Sequence, residues 1–291
     1  MIHSPDKNLE VDTENFLNIP RLMSLRLGGQ HPDTLQALLT AFAAAYYTHK
    51  DRAVEMATEL HERLHDTNVR PKRPIECIQI EEKLGLIYYG LGNKIEAAKV
   101  LAALAQSLRE GEETQLGLFS EGKVILSRVK QEISNIVGEV LEQQWQGAED
   151  AKEGGRLSDA ADHLRLFYNL FVPLHGEHED VTAKVALNLA VALWRAGEQK
   201  TAQTGSKGSA KNDARKQQDE AVQILQGIVS SSRQEEQVKR RLEEGLKGWQ
   251  EQLKSPPTHE AGSQDTSSFL SSVDSRVSMD DCPVIQERGE Y

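Results

Sequence analysis

The chain has 291 residues, a formal net charge of -11 at pH 7 and a sequence pI near 5.4. An acidic surface argues against a general nucleic-acid binder or a ligand of anionic membranes, because both need clustered basic residues. Charged residues make up 27% of the chain and aromatic residues only 5%, a composition that favours helices over sheets. The apolar runs are too short to span a bilayer, so no membrane insertion is expected.

The N-terminus and the cysteines indicate a cytoplasmic protein. The first residues, MIHSPDKNLEVD, lack the apolar core that a secretory signal needs. Cys77 and Cys282 are far apart and form no CxxC pair. No disulfide is expected, and a reducing compartment is the predicted location.

Residues 1–30 have an unusual pattern for the start of a domain. The stretch NFLNIPRLMSLRLGG at 15–29 has the apolar spacing of a helix that should pack behind another helix. No such partner helix precedes it. Two explanations stay open: an N-terminal cap, or the remnant second helix of a repeat in a chain that is the C-terminal part of a larger regulator.

A recurring skeleton of small residues predicts antiparallel helix pairs. In KLGLIYYGLGNKIEAAKVL at 83–101, Gly85 precedes Ala97 by 12 residues, with Gly92 between them. Small residues let two helices approach closely, and a glycine at the turn takes the positive φ that ends the first helix. Such a pair cannot cover its own apolar face and must stack on neighbours. The predicted repeat positions are Gly85, Gly92, Ala97, Ala148, Gly155, Ala160, Ala190, Gly197 and Ala221.

Two departures from the 42-residue period interrupt the array. Ala97 and Ala160 are 63 residues apart, so an extra helix is predicted, EGKVILSRVKQEISNIV at 121–137. After Gly197, which is predicted to be a turn glycine, the stretch TAQTGSKGSAKNDARKQQ has few apolar residues. It predicts a flexible insertion near 203–216.

The helical array is predicted over residues 31–254 and a disordered, acidic, serine-rich tail over 255–291. In the tail, Ser271 and Ser278 each stand three residues before an aspartate. Acidic-directed kinases need an anion at that offset, so both serines are candidate phosphorylation sites.

The repeated residues resemble the 42-residue tetratricopeptide repeats of kinesin light chains. GGQHPDTLQALL at 28–39 is similar to the GxxHPDTL helix entrance of that family, and Asn188-Leu189-Ala190 within residues 176–202 stands for its NLA. The resemblance implies an all-α fold, a right-handed superhelical solenoid of antiparallel helix pairs.

The family resemblance also implies a function. First helices of such repeats line a concave groove that takes an extended peptide, and the equivalent positions here are Lys83, Gln146 and Asn188. We therefore expect a non-catalytic protein–protein interaction module, peptide-binding or scaffold, with no cofactor and no nucleic acid. Its partner would be another protein or an extended peptide. The pattern names no particular partner and leaves the oligomeric state open.

The stretch HERLH at 61–65 is the only motif that suggests an enzyme. His61, Glu62 and His65 spell HExxH, the pattern in which two histidines bind zinc and the glutamate acts as a general base. No third ligand follows in a recognisable motif, and short motifs of this kind also occur by chance. We interpret it as an exposed helix end, with a zinc metallopeptidase as the alternative.

Overall fold

The computed structural model describes residues 18–64, 74–109, 120–176, 179–204, 208–231 and 236–254. These residues form ten helices and no strand, so the predicted all-α class is confirmed. Within this part of the chain, no helix has both the length and the apolar character that crossing a bilayer needs. Ser271 and Ser278 lie outside it.

The helices fall into two compact units, residues 1–136 and 137–291, which are described separately. In chain order the helices are α1 (18–27), α2 (Pro32–Thr48), α3 (Lys50–Leu64), α4 (Pro74–Gly90), α5 (Lys94–Ser107), α6 (Ser120–Glu153), α7 (Leu157–His175), α8 (Asp180–Thr204), α9 (Gly208–Ser231) and α10 (Glu236–Lys254).

In the first unit, α2 pairs with α3, α4 pairs with α5, and α2 also packs against α4. Helix α2 begins where Pro32 sets the first helical φ and the His31 ring nitrogen Nδ1 accepts from the Asp33 amide at 3.3 Å. Its apolar face, including Leu35 and Phe42, joins Leu60 of α3 in one buried core.

Glycine turns of one geometry close a helix pair in each unit. Gly92 has φ 78° and Gly155 has φ 68°, so both adopt the left-handed conformation that the sequence predicts for a turn glycine. The Asn93 amide donates to the Tyr88 carbonyl at 2.9 Å, and the Arg156 amide donates to the Ala151 carbonyl at 2.8 Å. These are Schellman motifs, which satisfy carbonyl groups at the helix end.

Helix entrances also repeat. Gly28 (φ 93°) and Gly176 (φ 97°) each precede a buried threonine by six residues. The Thr34 hydroxyl donates to the Gly28 carbonyl at 3.0 Å, and the Thr182 hydroxyl donates to the Gly176 carbonyl at 2.7 Å. The two local structures therefore share their backbone and their hydrogen bond, although their sequences differ at most positions between glycine and threonine.

The small residues at the helix contacts are buried. A Cβ atom added to Gly85 would lie 2.7 Å from Leu101 Cδ2, so the α4–α5 contact leaves no space for a side chain. The remaining small residues at predicted helix contacts that have no accessible surface are Ala97, Ala148, Ala160, Ala190 and Ala221.

Gly197 does not lie at a turn, and this prediction is wrong. Helix α8 continues through it to Thr204, and α9 already begins at Gly208. Most of the predicted insertion at 203–216 is therefore helical, because its Ala, Lys, Gln and Arg residues are good helix formers and Ala214 is buried.

The extra residues lengthen the α8–α9 pair instead of forming a loop. Ala190 and Ala221 are 31 residues apart, against 12 for Gly85 and Ala97. Each helix is thus longer by about nine residues, or about 14 Å at 1.5 Å per residue. The register is kept, because a Cβ atom on Gly197 would lie 2.9 Å from the Ala214 carbonyl oxygen.

The extra helix predicted at 121–137 exists, but it is not a separate element. It is continuous with the following first helix in α6, which has 34 residues. Its sequence contains no proline and no turn signal near 137, so nothing ends the helix there.

In the second unit, α8 packs against both α7 and α9, and α10 packs against α9. The core is aromatic: Trp145 of α6 contacts Phe167 of α7 with ring centroids 5.5 Å apart, and Phe167 stacks on Phe171. Helix α10 lies within the region 31–254 that the sequence assigned to the helical array.

Candidate functional site

Three helices of the first unit lie side by side and expose a continuous polar stripe. Lys83 Nζ of α4 donates to Gln36 Oε1 of α2 at 3.2 Å. On the other side of α4, Arg128 of α6 binds Glu82 with two hydrogen bonds, of which Nε to Oε1 measures 2.7 Å. The two contacts join the three helices on either side of α4.

The Arg128–Glu82 pair is asymmetric in its exposure. The Glu82 side chain is 3% exposed and that of Arg128 is 55% exposed. A buried carboxylate needs a partner for its charge, and the guanidinium provides it in bidentate geometry. Hydrogen bonding to Glu82 raises the pKa of Arg128 above its usual value. Arg128 therefore stays charged and keeps part of its surface open to a ligand.

The exposed residues of this stripe mix charge, amide and apolar character. We call it the α2–α4–α6 surface. Amide groups can donate to and accept from a peptide backbone, and cationic groups can bind a carboxylate. Its residues are Gln36 and Thr40 of α2, Lys83 and Leu86 of α4, and Val124, Arg128, Gln131 and Asn135 of α6.

The structure separates the three predicted groove residues. Lys83 is exposed in the first unit, as the resemblance implies for a groove position. Gln146 is exposed in the second unit, where its amide donates to Asp150 Oδ1 at 2.8 Å. Asn188 is only 5% exposed, so it differs from the expectation. The reason is that α8 is packed on two sides, by α7 and by α9.

Gln36 and Arg128 are surface residues that the sequence reasoning missed. Arg128 sits next to an apolar stripe that includes Val129 and Ile133, which predicts an edge position on α6. Its partner Glu82 is 46 residues away, and no local pattern connects the two. Gln36 likewise meets Lys83 only because α2 and α4 are neighbours.

The HExxH residues do not assemble a site in the described part of the chain. His61 and Glu62 are exposed near the end of α3, and His65 lies outside the described residues. Among the residues that the structure describes, no group of three His, Cys, Asp or Glu side chains is close enough to hold a metal ion.

Comparison with known proteins gives no relative for this chain. No protein-family model, no curated protein and no solved structure matches it. The repetition of turns and helix entrances is therefore internal evidence, drawn from the chain itself.

Proposed function

We propose that the chain is a tetratricopeptide-like helical-repeat protein that acts as a non-catalytic protein–protein interaction module. The support for the repeat is local and structural. The Schellman turns at Gly92 and Gly155 have matching hydrogen bonds, and so do the helix entrances at Thr34 and Thr182. Repeated helix pairs of this kind serve mainly as scaffolds, since stacking gives them an extended surface.

The observation that carries the function is the α2–α4–α6 surface. The Gln36–Lys83 hydrogen bond and the Arg128–Glu82 pair fix neighbouring helices, so the surface is formed before a ligand arrives. Preorganisation favours binding because the scaffold loses little conformational entropy.

The ligand that fits is an extended peptide with at least one carboxylate. Lys83 and Arg128 supply positive charge, while Gln131 supplies amide groups for a peptide backbone. Exposed Leu86 and Val124 add apolar contact between the polar groups. A carboxylate placed between the two cations would gain charge-assisted hydrogen bonds.

The test is a selection from a displayed library of random linear peptides against the full chain. The dissociation constant of a selected peptide is then measured for the Lys83→Ala and Gln131→Ala variants. Each is expected to weaken binding by about tenfold, the loss of one good charge-assisted or backbone hydrogen bond.

The matched control is Lys99→Ala. Lys99 is an exposed lysine of α5 that pairs with Glu96 at 2.7 Å and is not part of the α2–α4–α6 surface. Its loss should leave binding unchanged. If no peptide is selected, or if the Lys83→Ala and Gln131→Ala variants bind as tightly as the unchanged chain, the proposal fails.

A further inference from the structure

Helix α1 concentrates exposed apolar surface. Eight large hydrophobic side chains are exposed in the described part of the chain, and four of them lie between residues 19 and 27. The other four are spread one to a helix over α3, α4, α5 and α6. Contiguous exposed apolar surface marks an interaction site far more often than single residues do. The four in α1 are Ile19 (40% exposed), Leu22 (64%), Leu25 (79%) and Leu27 (41%).

The exposed face of α1 has leucines at its centre and an arginine on each edge. At 3.6 residues per turn, the order around the helix axis is Arg21, Leu25, Leu22, Arg26, over an arc of about 140°. All four residues are exposed, whereas Pro20 on the opposite side is buried. The helical segment 18–27 contains no acidic residue. We call these four residues the α1 face.

The α1 face is held in place by the rest of the first unit. Arg63 of α3 donates to the Gly29 carbonyl at 2.7 Å, directly after the helix. The Thr34 hydroxyl fixes the Gly28 carbonyl from the start of α2. The leucines are thus presented by an anchored helix, and a partner would not have to order it.

Charge decides which partner fits. A second copy of α1 would bring arginines toward arginines, because each edge of the face carries one. A net charge of -11 disfavours an anionic membrane surface. Carboxylates on both sides of an apolar stripe would meet Arg21 and Arg26 while the stripe covers Leu22 and Leu25.

We propose that the α1 face docks an acidic amphipathic helix of a partner protein. The partner helix places leucine-like side chains against Leu22 and Leu25. Its glutamate or aspartate residues, flanking that stripe, form ion pairs with Arg21 and Arg26. The interaction is separate from peptide binding at the α2–α4–α6 surface and does not depend on it.

The test uses two synthetic helical peptides that share a leucine stripe and differ only in its flanks, which are glutamate in one and lysine in the other. Fluorescence anisotropy at low and at high salt measures their binding to the full chain. The glutamate peptide is expected to bind at least about tenfold more tightly than the lysine peptide, and less so at high salt.

Four variants assign the binding to the α1 face. The double change Leu22→Ser/Leu25→Ser should remove it, and Arg21→Glu/Arg26→Glu should reverse the preference to the lysine peptide. The matched control Val54→Ser removes an isolated exposed side chain of α3 and should have no effect. Lys83→Ala should also have no effect, which separates this proposal from the proposed peptide site.

Several results would overturn the proposal. Neither peptide binds, both bind equally, or the double serine variant binds as before. Two other occupants are tested in the same protein. A Leu22→Cys variant with Cys282→Ser that reacts slowly with a thiol reagent while monomeric would show that the chain covers its own α1 face. A dimer in sedimentation that the double serine variant loses would show a second copy there, and binding of phosphatidylserine vesicles that this variant abolishes would show a lipid surface.

Discussion

Trp194 of α8 and Trp249 of α10 stack face to face, with ring centroids 4.6 Å apart and an interplanar angle of 4°. Both side chains are completely buried. Helix α10 otherwise packs on α9, and the stack gives it a second attachment, to α8. The last described helix is thus fixed by one aromatic pair as well as by its neighbour in sequence.

Replacing Trp249 by alanine should therefore destabilise the second unit. Removing a buried tryptophan loses both its transfer free energy and its packing, so we expect the free energy of unfolding to fall by about 3–5 kcal/mol. Urea denaturation followed by circular dichroism measures the change. Trp249→Phe should cost less, because an aromatic ring remains. An unchanged midpoint for Trp249→Ala would show that the stack does not hold α10.

Glu198 makes stability depend on pH. Its carboxylate accepts from Trp194 Nε1 at 2.9 Å, but loss of hydration dominates and raises the pKa of Glu198 above its usual value. With a folded pKa above the unfolded one, its contribution is fully present below the unfolded pKa and lost as the pH rises through the folded pKa.

Glu198→Gln should therefore stabilise the protein at neutral pH and lose this advantage in acid, since glutamine still accepts from Trp194 and never ionises. The effect should be small because Glu198 remains exposed overall. Thermal melts of both proteins at several pH values test it. A difference that grows toward acid would contradict the assignment.

Two glycines of the α8–α9 pair should respond oppositely to alanine. A Cβ on Gly197 would lie 2.7 Å from Gln218 Cγ and 2.9 Å from the Ala214 backbone oxygen, whereas a Cβ on Gly227 meets nothing within 4 Å. Alanine is favoured over glycine inside a helix by about 0.5–1 kcal/mol. We expect Gly227→Ala to stabilise and Gly197→Ala to destabilise by about 1–3 kcal/mol through overpacking.

The comparison is made by urea denaturation of the two variants under one set of conditions. Deleting residues 203–216 should also destabilise the protein, because it removes the buried Ala214. If that deletion leaves stability unchanged, or if Gly197→Ala stabilises as Gly227→Ala does, the register of the α8–α9 pair is not the one described.

The two Schellman glycines should be equally sensitive. Gly92 and Gly155 both have positive φ, where a Cβ atom costs about 1–2 kcal/mol. Gly92→Ala and Gly155→Ala should each lower the free energy of unfolding by about that amount. Gly90, which lies at the end of α4 with open space at its Cβ, is the control and should tolerate alanine. A loss at only one of the two turns would argue against their equivalence.

The exposed histidine motif should be dispensable for stability. His61 and Glu62 are exposed, so His61→Ala combined with His65→Ala should change the free energy of unfolding by no more than about 0.5 kcal/mol. Zinc content of the purified chain is measured alongside. One zinc per chain that the double variant loses would favour the metallopeptidase alternative instead.

Local sequence determined the structures that depend on a few neighbouring residues. The turn at Gly92 follows from one glycine with positive φ, and the close approach at Gly85 follows from its missing side chain. The all-helical class follows in the same way from composition and apolar spacing, because both act within a few turns of one helix.

Tertiary structure decided what depends on residues far apart in sequence. Gly197 stands in nearly the same local pattern as Gly92, yet the helix continues through it, because the residues that follow can form helix and Ala214 returns to pack there. The burial of Asn188 depends on α7 and α9, and the exposed surface of Arg128 depends on Glu82, 46 residues earlier. No local pattern contains such information, since a side chain is buried or exposed according to which helices meet, and their meeting is settled by the packing of the whole unit.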